Sequence, residues 1–218
     1  MIFPDLEGAP HGVVDLGRLA RERPAKDLST GKSLYLKPDF MQEAVIELHR
    51  AAGYAYSFGG YGEDRRELWR GSYLEDLGAF IHLGVDCNAP AGTRVAAGMP
   101  GIVEQVGSDF PEDGGWGTYA VVRLSHPRGT APIIIAHLDP VLHVRQGDLI
   151  SARTVIGKVG TAPQNGNWYP HIHLQAFSLT AYRSFQRLGI GSIDGYCAPA
   201  EWRDKKRDYP DPSSLFSL

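Results

Sequence analysis

The chain has 218 residues, enough for one domain with extensions, and 43% of them are hydrophobic, which supplies a core and excludes a disordered chain. The formal net charge of -3 gives no pointer to nucleic acid or to an anionic membrane as a partner. With 26 Gly and 15 Pro set among short Val- and Ile-rich runs, the composition favours a turn-rich β protein over a helix bundle. Two cysteines, Cys87 and Cys197, are too few for a disulfide framework and read as buried or incidental thiols. No basic region followed by an apolar core opens the chain, and no stretch has the length of a membrane span. The chain as given therefore reads as cytoplasmic, and as exported only if a signal has been removed.

Residues 1–38 read as an irregular lead-in with a short strand at 33–38, and His11 as a solvated surface histidine. Asp39 is placed to cap a helix from about Phe40 to Ala52, with Gln42 at the capping-box position and Gly53 as the stop. His49 falls in its last turn and reads as a helix-end residue. The run FGGYGED lacks the Lys-Ser/Thr ending of a phosphate loop. It reads instead as part of a loop beside an active site, with Tyr54, Tyr56, Tyr61 and Trp69 as walls.

From Phe80 the chain becomes strand and turn. Alternation in GIVEQVG marks a half-buried strand, and the β-branched run in APIIIAHLDP marks a central one ending on His137. SDFPEDGGWG and PQNGNWYP are loops, and HIHLQAF is the closing strand. Short strands at this spacing describe an antiparallel sheet. SLTAYRSFQRLG reads as a short helix, and EWRDKKRD as a solvated charge run.

Two stretches carry the chemistry. HLGVD offers His82 and Asp86 four positions apart, and HIH offers His171 and His173 two apart. On a strand, i and i+2 share a face, so both imidazoles look to one point while Ile172 faces a core. Two neutral imidazoles and one carboxylate suit zinc and leave a fourth position for water, the arrangement of a catalytic site. His126 and His143 fall outside this set and read as structural or surface residues.

HLGVD, APAGTRVAAGMPGIVEQVG, IAHL, VRQGDLISARTVIGKVG and HIHLQAF, in that order, resemble the lysostaphin-type (LytM-like) zinc metallopeptidase family. The resemblance covers residues 80–177. It implies a mainly β fold, an antiparallel β-sheet domain of the LytM (duplicated-hybrid-motif) type. That domain would lie between a helix-containing N-terminal extension, 1–79, and a short C-terminal extension, 178–218. It implies His82, Asp86 and His173 as zinc ligands and His137 and His171 as the two catalytic histidines. The implied activity is endopeptidase hydrolysis, commonly of glycine-rich or D-amino-acid peptide links of peptidoglycan. Bulky Trp168 and Tyr169 before HIH, and the long acidic loop at 108–117, depart from the family pattern and are expected to line the groove.

YGEDRRELWRG and the closing YPDPS resemble, more loosely, a version of this domain fused between kinase-like and aminotransferase-like domains. That points to a substrate that is neither cell wall nor protein. Three readings follow: a zinc endopeptidase of peptidoglycan-like or glycine-rich peptides, a zinc hydrolase of a small cytosolic amide, and a non-catalytic zinc-containing binding module. In the first two, zinc lowers the pKa of its water, and His171 as base and His137 as oxyanion donor hold roles they can exchange. The Tyr- and Gly-rich part of residues 1–79 is expected to form one wall of the groove.

Overall fold

The computed structural model describes residues 1–111, 114–126 and 129–216. Glu112 and Asp113 of the acidic loop, Pro127 after His126, and the last two residues of the C-terminal extension lie outside the described residues. The strands are β1 (His11–Val13), β2 (Tyr56–Gly59), β3 (Ile81–His82), β4 (Val85–Asn88), β5 (Arg94–Ala96) and β6 (Gly101–Asp109). They continue as β7 (Gly117–His126), β8 (Gly129–Leu138), β9 (Leu149–Ile150), β10 (Val155–Lys158), β11 (Ile172–Ala176) and β12 (Tyr196–Cys197). Eight of them form one sheet in the order β1-β2-β4-β11-β8-β7-β6-β9. Every described pairing in it is antiparallel except β1 with β2. The fold is mainly β with helices at both ends, as the sequence implies.

Alternation explains how the sheet is buried. Ile172, Leu174 and Ala176 of β11, Ile133 and Ile135 of β8, and Val85 and Cys87 of β4 pack into one core. Ile134, Ala136 and Val121 face the other side, where the helix α4 (Leu179–Leu188) covers them with Tyr182 and Phe185. The triple isoleucine therefore sits in a strand buried on both faces, as a continuous apolar run requires. Ser178 caps α4 by accepting from Ala181 N.

Several expectations are corrected. Residues 33–38 form no strand. Ser33 Oγ accepts from Tyr35 N, and Leu34–Leu36 is a 3₁₀ turn whose Tyr35 ring is buried. The following helix α2 runs Pro38–Ala52 with Lys37, not Asp39, at the N-cap. Proline at the first helical position loses no hydrogen bond, and it holds the preceding Lys37 extended. Asp39 then lies in the first turn, and Gly53, at φ 71°, ends the helix as expected. The lead-in also holds the helix α1 (Leu16–Glu22), capped by Asp15, which accepts from Arg18 N. Its Leu16, Leu19 and Ala20 spacing is a helical stripe that the sequence reading passed over.

Glu201–Asp208 is only partly solvated, because Trp202–Asp208 is a helix. Its Trp202 packs edge-on to Tyr61, and Lys205 Nζ reaches Asp194 Oδ2 at 2.5 Å. His11 is exposed, and Cys87 is buried on the core side of β4.

Candidate active site

Register brings the site together. In β4 and β11, Asp86 is directly opposite His173, and His173 is in turn opposite Ala136 of β8. Residues opposite each other share a face, so Asp86 and His173 project to the side away from Val85, Cys87, Ile172 and Leu174. His82 reaches the same point from β3, where it is paired with Tyr196 of β12. Gly84 lies between the two short strands, and a Cβ there would collide with the His173 ring. Ligand-type atoms of His82, Asp86 and His173 all lie within 4.8 Å of one another.

His171 precedes β11, and its Nε2 is 3.6 Å from Asp86 Oδ1. His137, the last residue but one of β8, is at φ 66°, a left-handed conformation that histidine tolerates better than most residues. Its ring centroid is 4.6 Å from that of His171. All five sequence-predicted residues therefore meet in one buried cluster. His126 and His143 do not join it.

The hydrogen bonds of the imidazoles are the most informative feature. His82 Nδ1 is held by Gly60 O at 3.1 Å, His137 Nδ1 by Asn165 O at 2.8 Å, and His171 Nδ1 by Tyr169 O at 2.8 Å. Carbonyl oxygens only accept, so each Nδ1 carries the proton and each Nε2 is a lone pair. His173 is reversed. Gln175 Nε2 donates to Asp194 O, so Gln175 Oε1 accepts from His173 Nε2–H at 2.9 Å. Nδ1 of His173 is then the free lone pair, 3.1 Å from Asp86 Oδ1 and 3.1 Å from His82 Nε2. Lone pairs of His82, His171 and His173 thus gather around the Asp86 carboxylate.

Burial supports neutral imidazoles. It pushes His82 well below its ordinary pKa, and the nearby Arg65 cation pushes the same way. Burial, then the neighbouring His171 and His173, do likewise for His137. His171 is lowered by burial too, with Asp86 opposing. Burial alone would raise Asp86, but His82 and Arg65 beside it hold the carboxyl well below the usual range.

Sequence reasoning missed the supporting residues. Arg65 donates through Nη1 to Asp86 Oδ2 at 2.6 Å and through Nε to Glu63 Oε2 at 2.9 Å. Asn165 is fully buried and braces the approach to HIH by bonding Trp168 N, Trp168 O and Tyr169 O. Its Asn-Gly pair was a readable turn signal. Arg65 left no such signal.

The cleft over this cluster has a volume of about 540 Å³. The two departing loops line it, as expected, with Asp109 and Trp116 from one and Trp168 and Tyr169 from the other. They are tied together by Trp168 Nε1, which donates to Gly115 O at 2.8 Å. Of the four expected aromatic walls, only Trp69 lines the cleft. Tyr56 turns into the core against Phe3, Tyr61 packs on Trp202, and Tyr54 lies over Gly12. The apolar wall comes instead from Tyr73, Leu74 and Leu77, together with Ile193 and Tyr196.

Residues 80–182 match the family model of peptidase family M23. This segment is a peptidase family M23 domain. The resemblance to the lysostaphin-type (LytM-like) family is borne out, and the match over this segment supports a hydrolase of the metallopeptidase kind. Among solved structures, the chain is similar to the catalytic domain of lysostaphin, an antimicrobial peptidase from Staphylococcus simulans. That likeness has 22% identity and a TM-score of 0.48, over 75% of this chain and 93% of that one. It is also similar to the catalytic domain of the prophage-encoded M23 protein EnpA from Enterococcus faecalis, with 22% identity and a TM-score of 0.39, over 55% of this chain and 77% of that one. A third likeness is to a zinc-containing peptidase from Vibrio cholerae, with 24% identity and a TM-score of 0.36, over 44% of this chain and 27% of that one. No curated protein matches the chain. Among the described residues no helix is long and apolar enough to cross a membrane.

Proposed function

We propose that the chain is a zinc-dependent endopeptidase that cleaves an amide bond of a peptide or peptidoglycan-like substrate. The observation that carries this reading is the convergence of fixed imidazole lone pairs on one ionised carboxylate. His82 Nε2, Asp86 Oδ1 and His173 Nδ1 are the ligand atoms in this reading. Two neutral imidazoles and a carboxylate oxygen fit zinc and leave room for water and substrate. Zinc, when bound, supplies Lewis acidity and brings the pKa of a coordinated water from 15.7 to about 7.

The chain's own groups then handle the protons. His171 Nε2 takes a proton from the attacking water, since Asp86 lies near enough to stabilise the imidazolium that forms. The same nitrogen returns the proton to the leaving amine. Stacking on Tyr169, with ring centroids 4.3 Å apart, holds the His171 ring in place. His137 carries its proton on Nδ1, so its Nε2 donates to the oxyanion only in the imidazolium form, which the negative charge developing beside it favours. The roles of these two histidines remain exchangeable in the proposal.

Metal content by mass spectrometry, with amide hydrolysis assayed on the same samples, tests the reading. Wild type is expected to hold one zinc per chain, and His173→Ala is expected to lose both metal and activity. Absence of zinc from protein never exposed to chelator would sink the proposal.

The walls favour a substrate with side chains. Leu77 is 67% exposed and Tyr73 37% exposed, and both line the cleft. Glycine offers these groups nothing to cover. Burial of one Leu-sized side chain is worth about 1.5–3 kcal/mol. A peptide with a bulky apolar residue beside the scissile bond is therefore expected to exceed its glycine counterpart in kcat/KM by about tenfold to a hundredfold. Equal rates, measured on matched peptides, would return glycine-rich links to first place.

A further inference from the structure

Arg65 is 2% exposed, lies outside the matched segment 80–182, and holds two buried carboxylates with one guanidinium. Its placement is over-determined. Arg65 N donates to Phe80 O at 2.9 Å, which anchors the turn that carries it. Nε is fixed on Glu63, which itself accepts from the backbone N–H of Gly17. Nη1 serves both Asp86 Oδ2 and the Tyr196 hydroxyl, at 2.6 and 3.1 Å. Gly60, at φ 101°, leaves the space, because a Cβ there would strike Arg65 Nη2. The whole arrangement is delivered by β2, which pairs with β4 so that Gly59 stands opposite Asp86.

The consequence concerns the two oxygens of Asp86. Oδ2 is taken by Arg65, while Oδ1 is the atom that faces the imidazoles, at 3.1 Å from His173 Nδ1, 3.5 Å from His82 Nε2 and 3.6 Å from His171 Nε2. We propose that Arg65 is a positioning residue that restricts Asp86 to presenting one oxygen, Oδ1, to the metal. The inference rests on the metal-site reading above. A carboxylate free to chelate through both oxygens would fill a coordination position that hydrolysis needs open. A guanidinium suits the task because its fork engages two partners in fixed directions, which a lysine ammonium does not reproduce. Residues 1–79 are on this account part of the active centre. They supply Arg65 and Glu63, and they supply Gly60 O, which sets the tautomer of His82.

The test uses the full chain loaded with cobalt(II) in place of zinc. Four-coordinate cobalt absorbs visible light more strongly than five-coordinate cobalt, so a second Asp86 oxygen on the metal weakens the bands. Arg65→Met is expected to weaken them and to lower kcat about 10- to 100-fold, with KM within about threefold. Arg65→Lys is expected to recover part of each. Because Arg65→Met strands Glu63 in the interior, the double variant Glu63→Gln with Arg65→Met is measured beside it. It is expected to show the same weakened bands.

Wild-type cobalt bands and wild-type kcat in these variants would overturn the proposal and leave Arg65 as a structural ion pair. Wild-type protein that takes up no cobalt would overturn both this inference and the metal-site reading. Cobalt uptake without cleavage of any peptide would sink the hydrolytic reading alone, and the bands would still decide the role of Arg65.

Discussion

Alanine at His171 is expected to leave the metal bound and to lower kcat by about 10²–10⁴, the range for loss of a positioned general base. His137→Ala is likewise expected to keep the metal and to lose about 10²–10³, the range for loss of one oxyanion donor. The reason lies in what each ring touches. Neither supplies an atom to the tight cluster of His82, Asp86 and His173. His171 hangs from Tyr169 O and stacks on its ring, and His137 hangs from Asn165 O. Truncating either removes a proton carrier from the cleft while the three ligand-type atoms keep their supports at Gly60, Arg65 and Gln175. His173→Ala is expected to differ in kind, because it removes one of the three proposed ligands. Metal analysis and single-turnover hydrolysis of the three variants separate the two effects. Zinc retained with activity abolished excludes the binding-module reading. Full activity in both His137→Ala and His171→Ala would mean that the protons move by another route.

Much of this site was legible in the chain, and the reason is local geometry. In HIHLQA the period of two puts His171 and His173 on one face and Ile172 and Leu174 on the other, and β11 pairs that way. HLGVD was legible through its spacing, although the chain breaks at Leu83 and Gly84 into two short strands rather than one. The supporting residues were hidden for the opposite reason. Arg65 meets Asp86 through contacts distant in sequence, Gly59 of β2 opposite Asp86 and Arg65 N on Phe80 O, which no local pattern announces.

The tyrosine walls failed similarly. Tyr56 and Phe58 sit on β2, where alternation sends Tyr56 into the core against Phe3. Trp69 reaches the cleft because the chain has left the sheet by then, and it packs edge-on to Trp168 from the opposite loop. That residues 1–79 contribute a wall was anticipated. Which residues do so depended on where the sheet ended.

Acid is expected to unfold the metal-free chain from the active site outward. Free histidine titrates near 6.5 in the unfolded chain, and His82, His137 and His171 are all held below that in the fold. Above pH 6.5 both states leave them neutral, and they contribute nothing. As pH falls below 6.5 the unfolded chain binds protons that the native chain refuses. Each such group costs up to about 1.4 kcal/mol per pH unit until its native pKa is reached.

Glu63 works the other way. Burial lifts it to about 7, so the native chain gains a proton before the unfolded one does, and stability rises as pH falls from 7 toward 4.5. Up to three protons refused against one accepted leave a net loss of at most about 3 kcal/mol per pH unit, set against a typical total of about 5–15 kcal/mol. Asp86 does not set this limb, since its contribution is intact above about 3.8 and is lost only as the pH falls from there toward its lowered native value.

Urea unfolding in chelator is therefore expected to lose stability steeply between pH 6.5 and 5. Added zinc should protect most at the upper end, because metal and protons compete for the same lone pairs. His171→Gln should reduce the slope by about one proton. A metal-free chain whose stability stayed flat from pH 7 to 5 would mean that these imidazoles accept protons inside the fold. A cluster of cationic histidines has no lone pairs to offer a metal, so that single result would count against the ligand set as well as the titration.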